Sequence, residues 1–219
     1  MTGRPYPPIR TFQPRRRRLS ATRQRVLDEH GARWMLDVVG SPLEFARATV
    51  LEIGIGRGEA LLAMAAGDPA TDVIGVDVHT PGIAYVVSGI VEHGLTNVRL
   101  VHGDVLEFLP RIPHGSLAGI RIFFPDPWPK PSQRHKRLVT EANVARLVGL
   151  LEPGGFLHLA TDIDDYAEQM QEVCAARGDL AGGVVPRPAE RPVTRYEAKG
   201  IDAGRTPVDL YYVKRSSRC

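Results

Sequence analysis

The chain has 219 residues, 43% hydrophobic and 24% charged, with a formal net charge of +3. That composition excludes a collagenous or wholly disordered chain and predicts one globular domain with extensions. Two cysteines, Cys174 and Cys219, are too few for a disulfide framework and have no ligand-like neighbours, so a reducing cytoplasmic setting without a metal site is expected. No run approaches the ~18 apolar residues of a membrane span, and the N-terminus lacks the apolar stretch of a secretory signal.

Positive charge is concentrated at the start. Residues 1–25 hold Arg4, Arg10, Arg15, Arg16, Arg17, Arg18, Arg23 and Arg25 and no acid. Pro5, Pro7, Pro8 and Pro14 disfavour regular structure there. Residues 1–20 are therefore expected to form a basic flexible arm and residues 21–219 a single domain. The arm reads either as a solvated tail or as a phosphate contact. In the second case its deletion would lower the salt dependence of RNA binding and leave cofactor affinity alone.

A helix is predicted over 22–36. Strands and helices then alternate: strand 48–54, helix 58–66, strand 71–78, helix 81–94, strand 97–104, a short helix near 105–109, and strand 117–124. A helix over 134–151, a strand over 155–162 and a helix over 164–178 follow, and residues 208–215 alternate like a last strand. This order defines an α/β fold with a mostly parallel sheet and helices on both faces. In such sheets the ligand site lies beyond the carboxyl ends of the strands, where the winding reverses.

Acids stand at those ends. Glu52 precedes the glycine loop Gly54-Ile-Gly56-Arg-Gly58, Asp77 closes the second strand, Asp104 follows the third, Asp126 the fourth and Asp162 the fifth. Glycines permit a tight turn and close approach of a ligand. A dinucleotide site with Asp77 on a ribose is one reading. S-adenosylmethionine is the favoured one, because the spacing is G-x-G-x-G, Glu52 would repel a pyrophosphate, and a sulfonium has no phosphate and suits a ring of carboxylates. Helix capping is the plainer alternative, best suited to Asp162 or Asp164.

Between the fourth strand and the next helix runs Phe123-Phe-Pro-Asp-Pro-Trp-Pro-Lys130. Three prolines stiffen the loop and bias Phe124, Asp126 and Trp128 towards extended geometry. Asp126 is thereby presented rigidly, as a base-recognising carboxylate requires. Trp128 reads as a stacking surface or as a core residue. Lys130 and the run Arg134-His135-Lys136-Arg137 read as phosphate contacts or as a solvated helix face.

The strings FFPDPWPK, LEIGIGRGE and, at 194–200, TRYEAKG resemble the bacterial tRNA (guanine-N7)-methyltransferase family over nearly the whole chain. The resemblance implies a Rossmann-like class I methyltransferase fold with an antiparallel C-terminal strand, S-adenosylmethionine as cofactor, tRNA as partner and no membrane association. It implies that Glu52, Asp77, Asp104 and Asp126 bind the cofactor, with Asp126 also catalytic. Lys130, Asp162, Thr194, Arg195, Tyr196 and Glu197 fall where the family contacts substrate. Asp126 is expected to accept hydrogen bonds from the guanine edge, with Asp162 and Glu197 sharing that task. Two departures stand out: Pro131-Ser132-Gln133 interrupt the usual basic stretch after the lysine, and Asp77 stands where many relatives carry Glu. Alternatives are an exocyclic-amine methyltransferase, a nicotinamide oxidoreductase and a silent RNA-binding relative. Monomer and homodimer are both open.

Overall fold

A computed structural model describes residues 10–12 and 19–216, so Arg4 and Arg15–Arg18 of the arm lie outside the described residues. The elements follow in order: α1 (Ala21–Trp34), β1 (Met35–Leu36), β2 (Thr49–Ile53), α2 (Glu59–Gly67), β3 (Asp72–Asp77), α3 (Thr80–His93), β4 (Val98–His102), α4 (Val105–Phe108) and β5 (Leu117–Phe123). Then come α5 (Glu141–Leu150), β6 (Leu151–Thr161), α6 (Asp164–Ala175), β7 (Leu180–Val185), α7 (Arg195–Asp202) and β8 (Val208–Lys214).

The eight strands form one sheet in the order β1-β4-β3-β2-β5-β6-β8-β7. Strands β1 to β6 pair in parallel, and β8 is antiparallel to both β6 and β7. The chain winds outward from β2 through β3 to β4, then restarts at β5 on the other side. The reversal falls between β2 and β5, and a crevice opens there beyond their carboxyl ends.

Alternation along the strands divides the core. Leu51, Ile53, Ile74 and Val76 pack with α4, α5 and α6 through Phe108, Leu147 and Met170. Val73 and Leu100 face the other way, against Trp34, Leu61 and Val86 of α1, α2 and α3. The same alternation places Glu52 on the α2 face, in one cross-strand row with Arg121, His158 and Tyr211.

Three elements differ from the sequence expectation. Residues 134–151 are not one helix: Pro131–Lys136 form a 3-10 turn, and α5 starts only at Glu141, capped by the Thr140 hydroxyl. The helix gives way directly to β6, which runs through Pro153-Gly154-Gly155. The chain from 180 to 202, unassigned by pattern, supplies edge strand β7 and helix α7.

Candidate active site

The loop after β2 is shaped by close approaches. A side chain at Gly58 would meet Val86 of α3 at 2.2 Å, and one at Gly82 would meet the Gly56 carbonyl at 2.1 Å. The first turn of α3 therefore packs directly on the loop, and both contacts require glycine. Gly54, Gly56 and Gly58 all have positive φ, the region that glycine adopts without steric cost.

Beyond the loop lies a cavity lined by Ile53, Gly54, Gly56, Val76, Asp77, His79, Gly103, Asp104, Phe124, Pro125, Asp126 and Leu138, and also by Thr11 and Phe12. Three of the strand-end carboxylates thus meet in one space. Asp77 accepts the Gly56 amide at 2.7 Å and the His79 amide at 2.8 Å. Burial raises its pKa, opposed by those amide bonds. A carboxylate offers about four acceptor sites, so Asp77 keeps capacity for a ribose or amine. Asp104 caps α4, its Oδ1 accepting the Leu106 amide at 2.9 Å, which leaves the second oxygen for a ligand. Among the strand-end acids it is Asp104 that caps through its side chain; α6, beside Asp162 and Asp164, has no side-chain cap.

Glu52 does not line the cavity. It is 2% exposed on the α2 face, with no hydrogen bond to Oε2 and the Arg121 guanidinium 3.9 Å away. Burial pushes its pKa up to about 7, opposed by Arg121. Arg121 is itself lowered by burial, with Glu52 opposing.

The proline loop departs from extended geometry. Phe124 and Trp128 take φ of 50° and 43° and bracket Pro125-Asp126-Pro127. Each such non-glycine residue costs on the order of 1–3 kcal/mol and persists only where its surroundings over-determine it. The Phe124 amide donates to the Ala160 carbonyl at 2.8 Å, and its ring packs on Tyr196 at 5.5 Å. The Trp128 indole is buried, donates to the Thr11 carbonyl at 3.2 Å and carries Lys136 over its ring at 4.9 Å. Trp128 is therefore a core anchor, and the aromatic surface beside Asp126 is Phe124 with the half-exposed Tyr196. Arg137 is buried too. It bonds the Pro127 carbonyl at 2.8 Å and Asp165 at 2.7 Å, which ties the loop to α6 and withdraws this arginine from solvent. Arg134 also pairs with Asp165, at 2.7 Å, whereas Lys130 is exposed.

The remaining expected substrate residues sit in α7 and its supports. Thr194 caps α7 by accepting the Glu197 amide at 3.2 Å, the arrangement that the T-x-x-E spacing predicts. The Glu197 carboxylate is bound bidentately by buried Arg191 at 2.8 and 2.9 Å. Arg191 also grips Asp209 of β8 at 2.7 and 2.8 Å, and His158 lies 2.8 Å from Asp209. Burial works to raise the Asp209 pKa, but His158 and Arg191 outweigh it and hold this carboxyl low. Asp162 pairs with Arg205 at 2.6 Å, and a side chain at Gly200 would come within 2.7 Å of that carboxylate. The Arg195 amide donates to Glu59 Oε2 at 2.6 Å, which pins α7 to the first turn of α2.

Sequence reasoning did not single out Thr11, Phe12, His79 or Leu138 as cavity residues, nor Arg191 and Asp209 as the frame behind α7. His79 precedes a proline-opened helix, a local signal for a site at that turn. The others meet only through tertiary contact.

The geometry and topology are those of a class I methyltransferase. A structure described as an rRNA methylase from Streptococcus thermophilus superposes with a TM-score of 0.53 at 13% identity, covering 78% of this chain and 88% of that one. A 16S rRNA (adenine(1408)-N(1))-methyltransferase with cosubstrate SAM, from Catenulisporales acidiphilia, gives 0.53 at 16% identity, covering 80% and 88%. A family model described as "Putative methyltransferase" matches residues 46–210. A tRNA (guanine-N(7)-)-methyltransferase of Streptomyces avermitilis is 42% identical over 93% of this chain and 74% of its own length. One from Alkalilimnicola ehrlichii is 42% identical over 95% and 93%. The chain belongs to the tRNA (guanine-N7)-methyltransferase family.

Proposed function

We propose that the protein transfers the methyl group of S-adenosylmethionine to N7 of a guanine in the variable loop of tRNA. The observation that carries the reading is the convergence of Asp77, Asp104 and Asp126 on one cavity above a glycine loop. A phosphate-bearing dinucleotide would meet repulsion there, whereas a cation is attracted. Open backbone at Gly54 and Gly56, where an added side chain would meet nothing within 4 Å, leaves room for close approach of the donor.

S-adenosylmethionine supplies a methyl group on positively charged sulfur. In this reading Asp77 takes its ribose and Asp104 its adenine amine, and Glu52 acts on the glycine loop from behind, through its charge. Guanine N7 carries an in-plane lone pair and no proton, so no general base is required. Asp126 accepts hydrogen bonds from the guanine edge and stabilises the positive charge that develops on the purine. Phe124 and Tyr196 flank the base, and Lys130 contacts the RNA backbone. Asp162 and Glu197 act on the acceptor side by holding α7 in place. Positioning of the two reactants carries most of the rate, an effect worth roughly 7–11 kcal/mol in favourable cases.

A cytoplasmic setting, where tRNA resides, fits a buried thiol at Cys174. Among the described residues no helix is long and apolar enough to cross a membrane, and no cluster of three or more His, Cys, Asp or Glu could hold a metal ion. Incubation with labelled S-adenosylmethionine and bulk tRNA, followed by nucleoside analysis, tests the assignment. Label in 7-methylguanosine is expected; label in an exocyclic amine, or none, overturns it.

A further inference from the structure

Two arginines from distant parts of the chain lie against one tyrosine beside the glycine loop. Arg23, in the first turn of α1, sets its guanidinium carbon 3.7 Å from the centre of the Tyr85 ring and donates to the Tyr85 hydroxyl. Arg57, between Gly56 and Gly58, sets its own 4.0 Å from the same centre. Arg57 is exposed, and Arg23 and Tyr85 are half-buried. Among the described residues neither arginine has a carboxylate partner within 4.0 Å. The two cations lie within about 8 Å of each other. Like charges this close repel, and more strongly at the effective dielectric of a protein surface than in bulk water. A tie between α1 and α3 accounts for Arg23 on Tyr85. It does not account for a second arginine held on the same ring from the glycine loop.

An anion beside this cluster turns the repulsion into two attractions. None of the three residues lines the donor cavity, so the anion is not part of the donor. Guanidinium forks preordered by stacking match phosphate oxygens bidentately, and an exposed arginine–aromatic surface suits a nucleic-acid strand. Arg57 lies two residues before Glu59, which holds the α7 backbone next to Tyr196. Lys130, also exposed, follows the proline loop that carries Asp126.

We propose that Arg23, Tyr85 and Arg57 form a clamp for the phosphate backbone of the RNA substrate, beside the glycine loop. The inference rests on the tRNA reading above and adds a contact surface to it. The clamp positions RNA and takes no part in methyl transfer.

The test is equilibrium binding of bulk tRNA across a salt series, with wild type, Arg57→Gln, Arg57→Lys and the Arg23→Gln/Arg57→Gln double variant. Each phosphate contact contributes about 0.7–0.9 to the slope of log affinity against log salt. The slope is expected to fall by about 0.8 in Arg57→Gln and about 1.6 in the double variant, and to persist in Arg57→Lys. Calorimetric affinity for S-adenosylmethionine should stay within twofold of wild type. Unchanged tRNA affinity and slope in Arg57→Gln overturn the clamp, and this single loop variant stays informative if the double variant loses stability. Donor affinity falling in step with tRNA affinity also overturns it, by assigning the arginines to the donor site. A wild type that forms no 7-methylguanosine defeats the functional reading instead, whatever the slopes show.

Discussion

The donor and acceptor sides of the proposed site both carry acids, in opposite states. Asp77 and Asp104 are held by backbone amides and face an open cavity. Asp162 and Glu197 are gripped by Arg205 and Arg191 and face the protein. A carboxylate oriented by neutral amides keeps its charge and spare lone pairs for a ligand. One locked to a guanidinium, buried at Arg191 and exposed at Arg205, is neutralised and serves as a strut. The donor half is thus shaped by loop geometry, and the acceptor half by ion pairs that fix α7 and, with it, Tyr196.

The strongest way to break this contrast is to remove the central strut. Arg191 is fully buried and serves two carboxylates at once. Arg191→Met would leave Glu197 buried and unpaired and Asp209 held by His158 alone, a loss of about 3–5 kcal/mol. For a domain of this size that lowers Tm on the order of 10 °C. Donor affinity measured well below the transition should largely persist, because Arg191 meets the cavity wall only through the Phe124 ring, 5.6 Å from its guanidinium carbon. A Tm within about 2 °C of wild type would show that the network is not a strut.

Glu52 belongs to neither group, and its titration sharpens the comparison. Its pKa stands at about 7 in the folded protein against 4.5 ordinarily. The folded state therefore holds the proton more tightly, and stability on this account is fully present below pH 4.5. It falls as pH rises and is lost above about 7. At 1.36 kcal/mol per pH unit the span from 4.5 to about 7 is worth on the order of 3 kcal/mol. Glu52→Gln should match wild type at pH 4.5 and exceed it by up to that amount at pH 8, in denaturant titrations without donor. An equal difference at both pH values would show that Glu52 is ionised throughout. If Glu52 supports the cationic donor, the same substitution weakens donor binding at pH 8, where its charge is lost, and has little effect at pH 5.

How much of this was legible beforehand follows from which signals are local. β2 to β6 and their helices announce themselves by apolar period and by glycine and proline punctuation. Topology then sends Asp77, Asp104 and Asp126 to one rim. β1 has two residues and no period to read. β7 is an edge strand, Leu-Ala-Gly-Gly-Val-Val, whose exposed glycines resemble a loop. The partners of Asp162 and Glu197 lie 43 and 6 residues away, and no spacing rule ties either pair together. The left-handed backbone at Phe124 and Trp128 overrides the pre-proline preference because packing of both rings selects it, and packing is not written in the tripeptide.

A smaller effect separates Asp126 from the struts. Asp126→Asn keeps the size and one acceptor and removes the charge that meets the developing purinium. Single-turnover methylation at saturating donor is expected to slow roughly 10- to 100-fold, about 1.4–2.7 kcal/mol. A rate within twofold of wild type would leave Asp126 with no role beyond shaping the loop.

The smallest expected effect concerns the N-terminal arm, which the charge pattern alone reads as a solvated tail or a phosphate contact. Thr11 and Phe12 instead line the donor cavity, and the Trp128 indole holds the Thr11 carbonyl. Residues 11–12 of the arm and its basic run at 15–18 are thus separable by substitution. Phe12→Ala removes part of the apolar wall and should weaken donor binding about fivefold, near 1 kcal/mol, without altering the salt slope for tRNA. Replacement of Arg15–Arg18 by glutamine should do the reverse. Phe12→Ala keeps the Thr11 carbonyl that the Trp128 indole holds, so the loop carrying Asp126 stays anchored and the donor KM should rise more than kcat falls. Donor affinity unchanged in Phe12→Ala would detach residues 10–12 from the cavity wall and return the whole arm to the RNA.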